Sequence, residues 1–122
     1  MKSERLVYIN GEFVPELDAK ISIYDSALMF GDMVFEMTRS FNKEQFRLRK
    51  HLERLYMGIK LLQIPINMTI DEMEKACLET IAKNKDAFEE HDEHRLMINV
   101  SRGPLGLYAP VFGGKLEPTV VI

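Results

Sequence analysis

Helical periodicity is confined to the middle of this chain, and that placement limits the folds open to it. Leu52, Leu55, Tyr56, Ile59 and Leu62 recur at the three- and four-residue spacing of one helical face. Pro65 closes that region, because a proline disfavours helix in the residue before it. Thr69 followed by Glu72 is a capping-box pattern, in which each side chain satisfies a backbone amide of the other. It opens a second stripe of Ile70, Met73, Ala76, Cys77, Thr80 and Ile81.

The flanking segments read as strands and turns. Residues 6–9 are a β-forming run, Asn10-Gly11 is the strongest short hairpin signal, and Glu12-Phe13-Val14 returns. Residues 21–24 alternate like a short extended segment. Asp25-Ser26 is placed to cap a single helical turn through Ala27, Leu28, Met29 and Phe30, which Gly31 ends. Residues 33–41 carry β-formers, Asn42-Lys43-Glu44 turns the chain, and Gln45-Phe46-Arg47-Leu48 is expected to pair back as a second hairpin. The polar, acidic stretch 84–94 reads as a surface loop. Residues 95–101 return to strand, 102–114 form a loop rich in glycine and proline, and Thr119-Val120-Val121-Ile122 is a final strand. Strands, two helices and strands again predict an α+β fold, an antiparallel sheet with two main helices packed on it.

With 122 residues, 46% apolar and 29% charged, residues 1–122 are expected to form one folded domain around one modest core. A net charge of -3 argues against a nucleic-acid partner, whose phosphates call for a basic stripe. The basic residues are dispersed apart from Arg47, Arg49 and Lys50. No apolar run approaches the length of a bilayer span, and Met1-Lys2-Ser3-Glu4-Arg5 lacks the apolar centre of a signal peptide. Cys77 is the sole cysteine, so no internal disulfide is possible; the cytoplasm is the expected compartment.

Read without relatives, the chain offers little chemistry. It has neither a glycine-rich phosphate loop nor a nucleophile elbow. His91 and His94 stand in a solvated charge run, without the further ligands a metal site needs. Arg54 lies off the helical stripe, with His51 one turn before and Gly58 one turn after. Its guanidinium could grip a phosphate or carboxylate with two parallel hydrogen bonds. The plainer alternative is a solvated arginine paired to Glu53 or another carboxylate.

Several blocks in order resemble the N-terminal small domain of the fold-type IV, pyridoxal-phosphate-dependent aminotransferases, the branched-chain and D-amino-acid aminotransferase family. Val7-Tyr8-Ile9-Asn10-Gly11-Glu12-Phe13-Val14 resembles the family's opening hairpin, and Asp18-Ala19-Lys20-Ile21-Ser22-Ile23 the segment after it. Phe30-Gly31-Asp32-Met33-Val34-Phe35-Glu36 is similar to its Gly-Asp-Gly-Val-Phe/Tyr-Glu block. Phe46-Arg47-Leu48 with His51-Leu52-Glu53-Arg54-Leu55 resembles its phosphate-arginine helix. Arg102-Gly103, Leu105-Gly106-Leu107 and Pro110 resemble the loop that caps its site.

The resemblance implies that Arg54 binds the phosphate of pyridoxal 5'-phosphate and that Phe30 and Phe35 line the substrate side-chain pocket. Arg39 would receive a glutamate donor's distal carboxylate. Leu107, in the 102–110 loop, would reach toward a neighbouring subunit's site, which implies a homodimer. The substrates implied are an amino acid and a 2-oxo acid, with a branched-chain or other hydrophobic amino acid favoured. Phe35 in place of tyrosine leans the same way. Met33 and Met37 depart from the family's glycines, and Met37 would crowd the pocket floor. Transamination also needs a lysine that binds the cofactor covalently and moves protons at the substrate α-carbon. In the family that lysine lies in a second, larger domain, and no lysine here stands in its context. The chain by itself is therefore expected to be inactive, with no catalytic residue of its own. Two other expectations stand beside this one: a stand-alone interaction or small-ligand-binding module built on the fold, and an aminodeoxychorismate lyase-like enzyme.

Overall fold

The computed structural model describes residues 4–122. Asn10 and Gly11 both take positive φ, 46° and 92°, which is the backbone twist that lets a two-residue turn join twisted strands. They connect β1 (Leu6–Ile9) to β2 (Glu12–Pro15) in the expected hairpin. Asp25 caps the short helix α1 (Ser26–Phe30) by accepting from the Ala27 amide at 2.9 Å, and Gly31 ends it in the left-handed conformation. Residues 21–24 do not form a strand. The Ser22 hydroxyl accepts from the Tyr24 amide and the Ser22 carbonyl from the Asp25 amide, so local bonds turn the chain before any partner strand can pair.

Strand β3 (Met33–Phe41) is the longest in the sheet. Its hairpin return is shorter than the sequence suggests. Strand β4 is only Glu44–Gln45, because Arg47 adopts a left-handed φ of 54° and Leu48 already begins a helix. That helix, α2 (Leu48–Leu62), buries Leu48, Leu52, Leu55 and Ile59. Leu62 falls off the stripe and is exposed; Gln63 instead turns the chain through a left-handed C-cap, and Ile64 fills the core place. Helix α3 (Ile70–Lys83) starts with the reciprocal Thr69–Glu72 capping box and buries Met73, Ala76, Cys77 and Thr80. Burial pushes the Cys77 thiol up to about 12, as suits a small core residue. The acidic stretch after α3 is more structured than a solvated loop. It holds a 3-10 turn at Lys85–Ala87 with Ala87 buried, and Glu93 accepts from the Asn42 and Lys43 amides and the Ser40 hydroxyl.

Strands β5 (Arg95–Ser101) and β6 (Thr119–Val121) complete a six-stranded antiparallel sheet of order β2-β1-β6-β5-β3-β4. Period-two alternation gives β3 and β5 two different faces. Leu96, Ile98, Val100 and Val120 point toward α2 and α3 and join the helical stripes in one core. Helix α2 approaches β3 closely: a Cβ at Gly58 would sit 2.8 Å from Val34 Cγ1. The opposite face is covered by neither α2 nor α3; the start of α1 meets it only at its Ser101–Thr119 end, and Phe35, Met37 and Met97 are exposed. The observed architecture is the expected α+β layer pair.

Candidate functional site

The helix-facing side of β3 carries an unusual residue for a core: Glu36, only 6% exposed. A buried carboxylate is costly unless it is paired and hydrogen-bonded. Helix α2 supplies both partners from one face, His51 and Arg54, three residues apart. Arg54 Nε donates to Glu36 Oε2 at 2.6 Å and Nη2 to Oε1 at 2.7 Å, a two-pronged grip. His51 Nδ1 lies 2.7 Å from the same Oε1. The Arg54 guanidinium, aided by His51, holds the Glu36 carboxyl below its ordinary range against the opposing effect of burial. Arg54 therefore takes its carboxylate from β3, while Glu53 pairs with Lys50 at 3.4 Å.

The grip uses only one edge of the guanidinium. Nη1 and the outer hydrogen of Nη2 donate to no other group among the described residues, and the side chain remains 71% exposed. Arg54 shares a shallow concavity of about 170 Å³ with Arg47, Lys50 and His51. An exposed bidentate donor in a cationic hollow is chemically suited to a phosphate.

The other expected residues lie elsewhere around β3. Phe35 and Arg39 stand on its open face, on either side of Met37. Arg39 donates from Nε to the Ser40 carbonyl at 3.0 Å and lies 4.1 Å over the Phe41 ring. Register puts Arg39 opposite Arg95, Met37 opposite Met97 and Phe35 opposite Asn99. Two arginines opposed across a strand pair repel each other unless an anion lies between them. Nothing in the sequence marks Arg95; only the strand register places it opposite Arg39.

Phe30 and Leu107, both exposed, belong to two segments tied at one node. Asp25, 2% exposed, accepts from the Ala27 amide, the Ser101 hydroxyl at 2.7 Å and the Thr119 hydroxyl at 2.6 Å. The Ser26 amide donates to the Gly103 carbonyl at 2.9 Å, and Tyr24 stacks on Tyr108 with centroids 4.3 Å apart. Arg102 adds a clasp, donating to Asp32 at 2.6 Å and to the carbonyls of Leu62 and Gln63 at the end of α2. So α1, which ends at Phe30, and the 3-10 turns of Gly106–Phe112, which carry Leu107, are anchored together. Arg54 does not share a face with Phe35 and Arg39; it stands across β3 from them. His94 packs its ring 4.3 Å from Phe88 rather than beside His91 in a ligand set.

The strand between these two groups is open along one side. Strand β4 pairs only with Ser40 and Phe41, so the earlier part of β3 is a sheet edge.

The fold has counterparts among known proteins. The family described as amino-transferase class IV matches residues 33–122. The chain belongs to that family. A Methanocaldococcus jannaschii protein provisionally named as a branched-chain-amino-acid aminotransferase is 42% identical over 103 residues, covering 83% of this chain and 34% of that protein. The crystal structure of the Escherichia coli branched-chain amino acid aminotransferase superposes with a TM-score of 0.78 at 27% identity, over 98% of this chain and 38% of that one. The branched-chain aminotransferase of the thermophilic archaeon Thermoproteus uzoniensis, solved with norvaline, gives a TM-score of 0.76 at 29% identity, over 98% and 39%. A further solved branched-chain amino acid aminotransferase of the same fold is complexed with N-(5'-phosphopyridoxyl)-L-glutamate. The chain thus spans about a third of the length of the curated relative and about two-fifths of the solved chains.

Proposed function

We propose that residues 1–122 form the small N-terminal domain of a pyridoxal-5'-phosphate-dependent aminotransferase of branched-chain type, and contribute one wall of its site. The observation that carries the proposal is the Arg54 guanidinium, fixed on one edge by Glu36 and open on the other, beside the bare edge of β3. Its exposed donors and the cationic hollow around them fit a phosphate. Bound there, pyridoxal 5'-phosphate would supply the electron sink through which an amino group passes between an amino acid and a 2-oxo acid.

The remaining roles follow the same placement. Arg54 anchors the phosphate. Phe35, from the open face, and Phe30, from the end of α1, give apolar surface for a hydrophobic side chain, and Leu107 offers the same to the neighbouring subunit's site. Arg39, with Arg95 opposite, offers paired guanidinium groups for the distal carboxylate of a glutamate donor. Met37 between Phe35 and Arg39 narrows the space for the substrate side chain. The covalent lysine belongs to a further domain, and this chain alone is inactive. A cytoplasmic homodimer is the proposed setting, with the 102–110 loop turned to the neighbouring subunit.

Amide and arginine side-chain NMR spectra of the chain, titrated with pyridoxal 5'-phosphate, test the reading. Shifts centred on Arg54, His51 and the β3 edge are expected, at millimolar ligand. Shifts confined to scattered surface lysines would refute the assignment. A second reading rests on a different observation, the exposed apolar face of Phe35, Met37 and Met97. There the fold would serve as an interaction module. A concentration-independent monomer mass with no binding of a hydrophobic dye would exclude it.

A further inference from the structure

The reading of Arg54 as a phosphate anchor leaves Glu36 unexplained. A carboxylate beside a phosphate site lowers the local positive potential and costs affinity by simple Coulomb repulsion. A domain selected only for charge at this point would carry an apolar or amide residue there. Yet Glu36 is buried, and its carboxylate bonds to the two residues of α2 that face it.

The geometry resolves the conflict. A free arginine side chain has several rotatable bonds, and ordering it is entropically costly. Here the guanidinium plane is set by two bonds of 2.6 and 2.7 Å to a carboxylate that is itself buried, on a strand paired to β5 from Met33 to Arg39. His51, only partly exposed, fixes the shared oxygen from the other side at 2.7 Å. The planar fork then presents its Nη1 and outer Nη2 hydrogens along one fixed direction. We infer that Glu36 and His51 are positioning residues, which hold Arg54 in the orientation needed to take a phosphoryl group, and that this preorganisation outweighs the Coulomb penalty of the carboxylate. The inference rests on the reading of Arg54 as an anion anchor and adds to it the two residues that make the anchor work.

The sign of one substitution decides the matter. Glu36→Gln removes a negative charge and keeps the side chain's shape. If Glu36 is only a neighbouring charge, inorganic phosphate binds more tightly to the variant. If Glu36 positions Arg54, phosphate binds more weakly although the protein has lost a negative charge. The measurement is a titration of the chain with inorganic phosphate at constant ionic strength, followed by the Nε–H and Nη–H resonances of Arg54. In the unsubstituted chain, the Nε–H signal should be sharp and insensitive to phosphate while the Nη signals move. Glu36→Gln is expected to weaken binding threefold or more and to broaden the Nε–H signal. His51→Ala, at a partly exposed position, should weaken it about twofold and serves as the test if Glu36→Gln does not fold. Unchanged or tighter phosphate binding in a folded variant would overturn the positioning role. Arg54→Gln separates the two levels. If it abolishes the Arg54-dependent binding while Glu36→Gln tightens it, the anchor stands and the positioning inference falls. If Arg54→Gln leaves phosphate affinity unaltered, the anchor itself is wrong, and the positioning role goes with it.

Discussion

Periodicity marks Arg54 only as a residue off its helix's apolar stripe, where a carboxylate partner is the plainer expectation; the phosphate role comes from the family resemblance. Its partner was not legible. Glu36 lies eighteen residues earlier on a strand, and the pairing follows from how α2 crosses β3. The carboxyl's lowered affinity for protons has a consequence for stability. A group with a depressed folded-state pKa stabilises the fold above its unfolded value, near 4.5, and loses that contribution as pH falls through its folded value. Acidification below about pH 5 should therefore narrow the stability gap between the natural chain and Glu36→Gln. At pH 7 that gap should be roughly 1–2 kcal/mol, discounted for the exposure of Arg54. Urea midpoints at neutral and acid pH measure it, and a gap that widens on acidification would contradict the pairing. Gly103 is a second position where the residue decides. Its φ is 83°, and a Cβ there would lie 2.0 Å from the Glu117 carbonyl oxygen. Gly103→Ala should cost on the order of 2–3 kcal/mol through strain and backbone displacement, read as a lowered thermal midpoint.

At the scale of elements, the sequence was most informative where local chemistry alone sets the structure. The Asn10-Gly11 turn, the Asp25 cap and the Thr69–Glu72 box each act within a few residues, and each is present as read. Structure departs from local pattern where a tertiary contact, or the lack of one, overrides it. The second hairpin's return is cut short at Gln45, since Arg47 turns left-handed and hands the chain to α2, whose first residue Leu48 is buried. Leu62 has the right spacing for the stripe but is displaced from the core by Ile64, which re-enters after the αL turn at Gln63. Residues 21–24 alternate, yet with no strand to receive them they fold into turns around Ser22. Thr69→Ala tests how far a cap matters here. It removes the side-chain acceptor of the Glu72 amide at 3.1 Å and should destabilise the domain by about 1 kcal/mol. An unchanged denaturation midpoint would show that tertiary packing alone holds the start of α3.

For the whole molecule, composition and the order of elements were enough for the fold class: helices in the middle, strands outside, one sheet with one covered face. The two-faced nature of β3 was only half visible. Alternation marks Phe35, Met37 and Arg39 as a set, but not the bare edge that separates them from Arg54, which depends on how little of β3 is paired by β4. Among the described residues no helix is long and apolar enough to cross a membrane. Among the described residues the open face of β3 exposes Phe35, Met37 and Arg39, and its unpaired edge separates them from Arg54. In the proposed role the domain supplies a phosphate anchor and a substrate wall, and the covalent cofactor lysine lies outside it. The most direct test is to incubate the chain with pyridoxal 5'-phosphate, reduce with borohydride and map the adducts by mass spectrometry. Low, scattered modification of exposed lysines is the expected result. A single lysine modified at full stoichiometry would contradict it, and would make this chain the bearer of the reactive group.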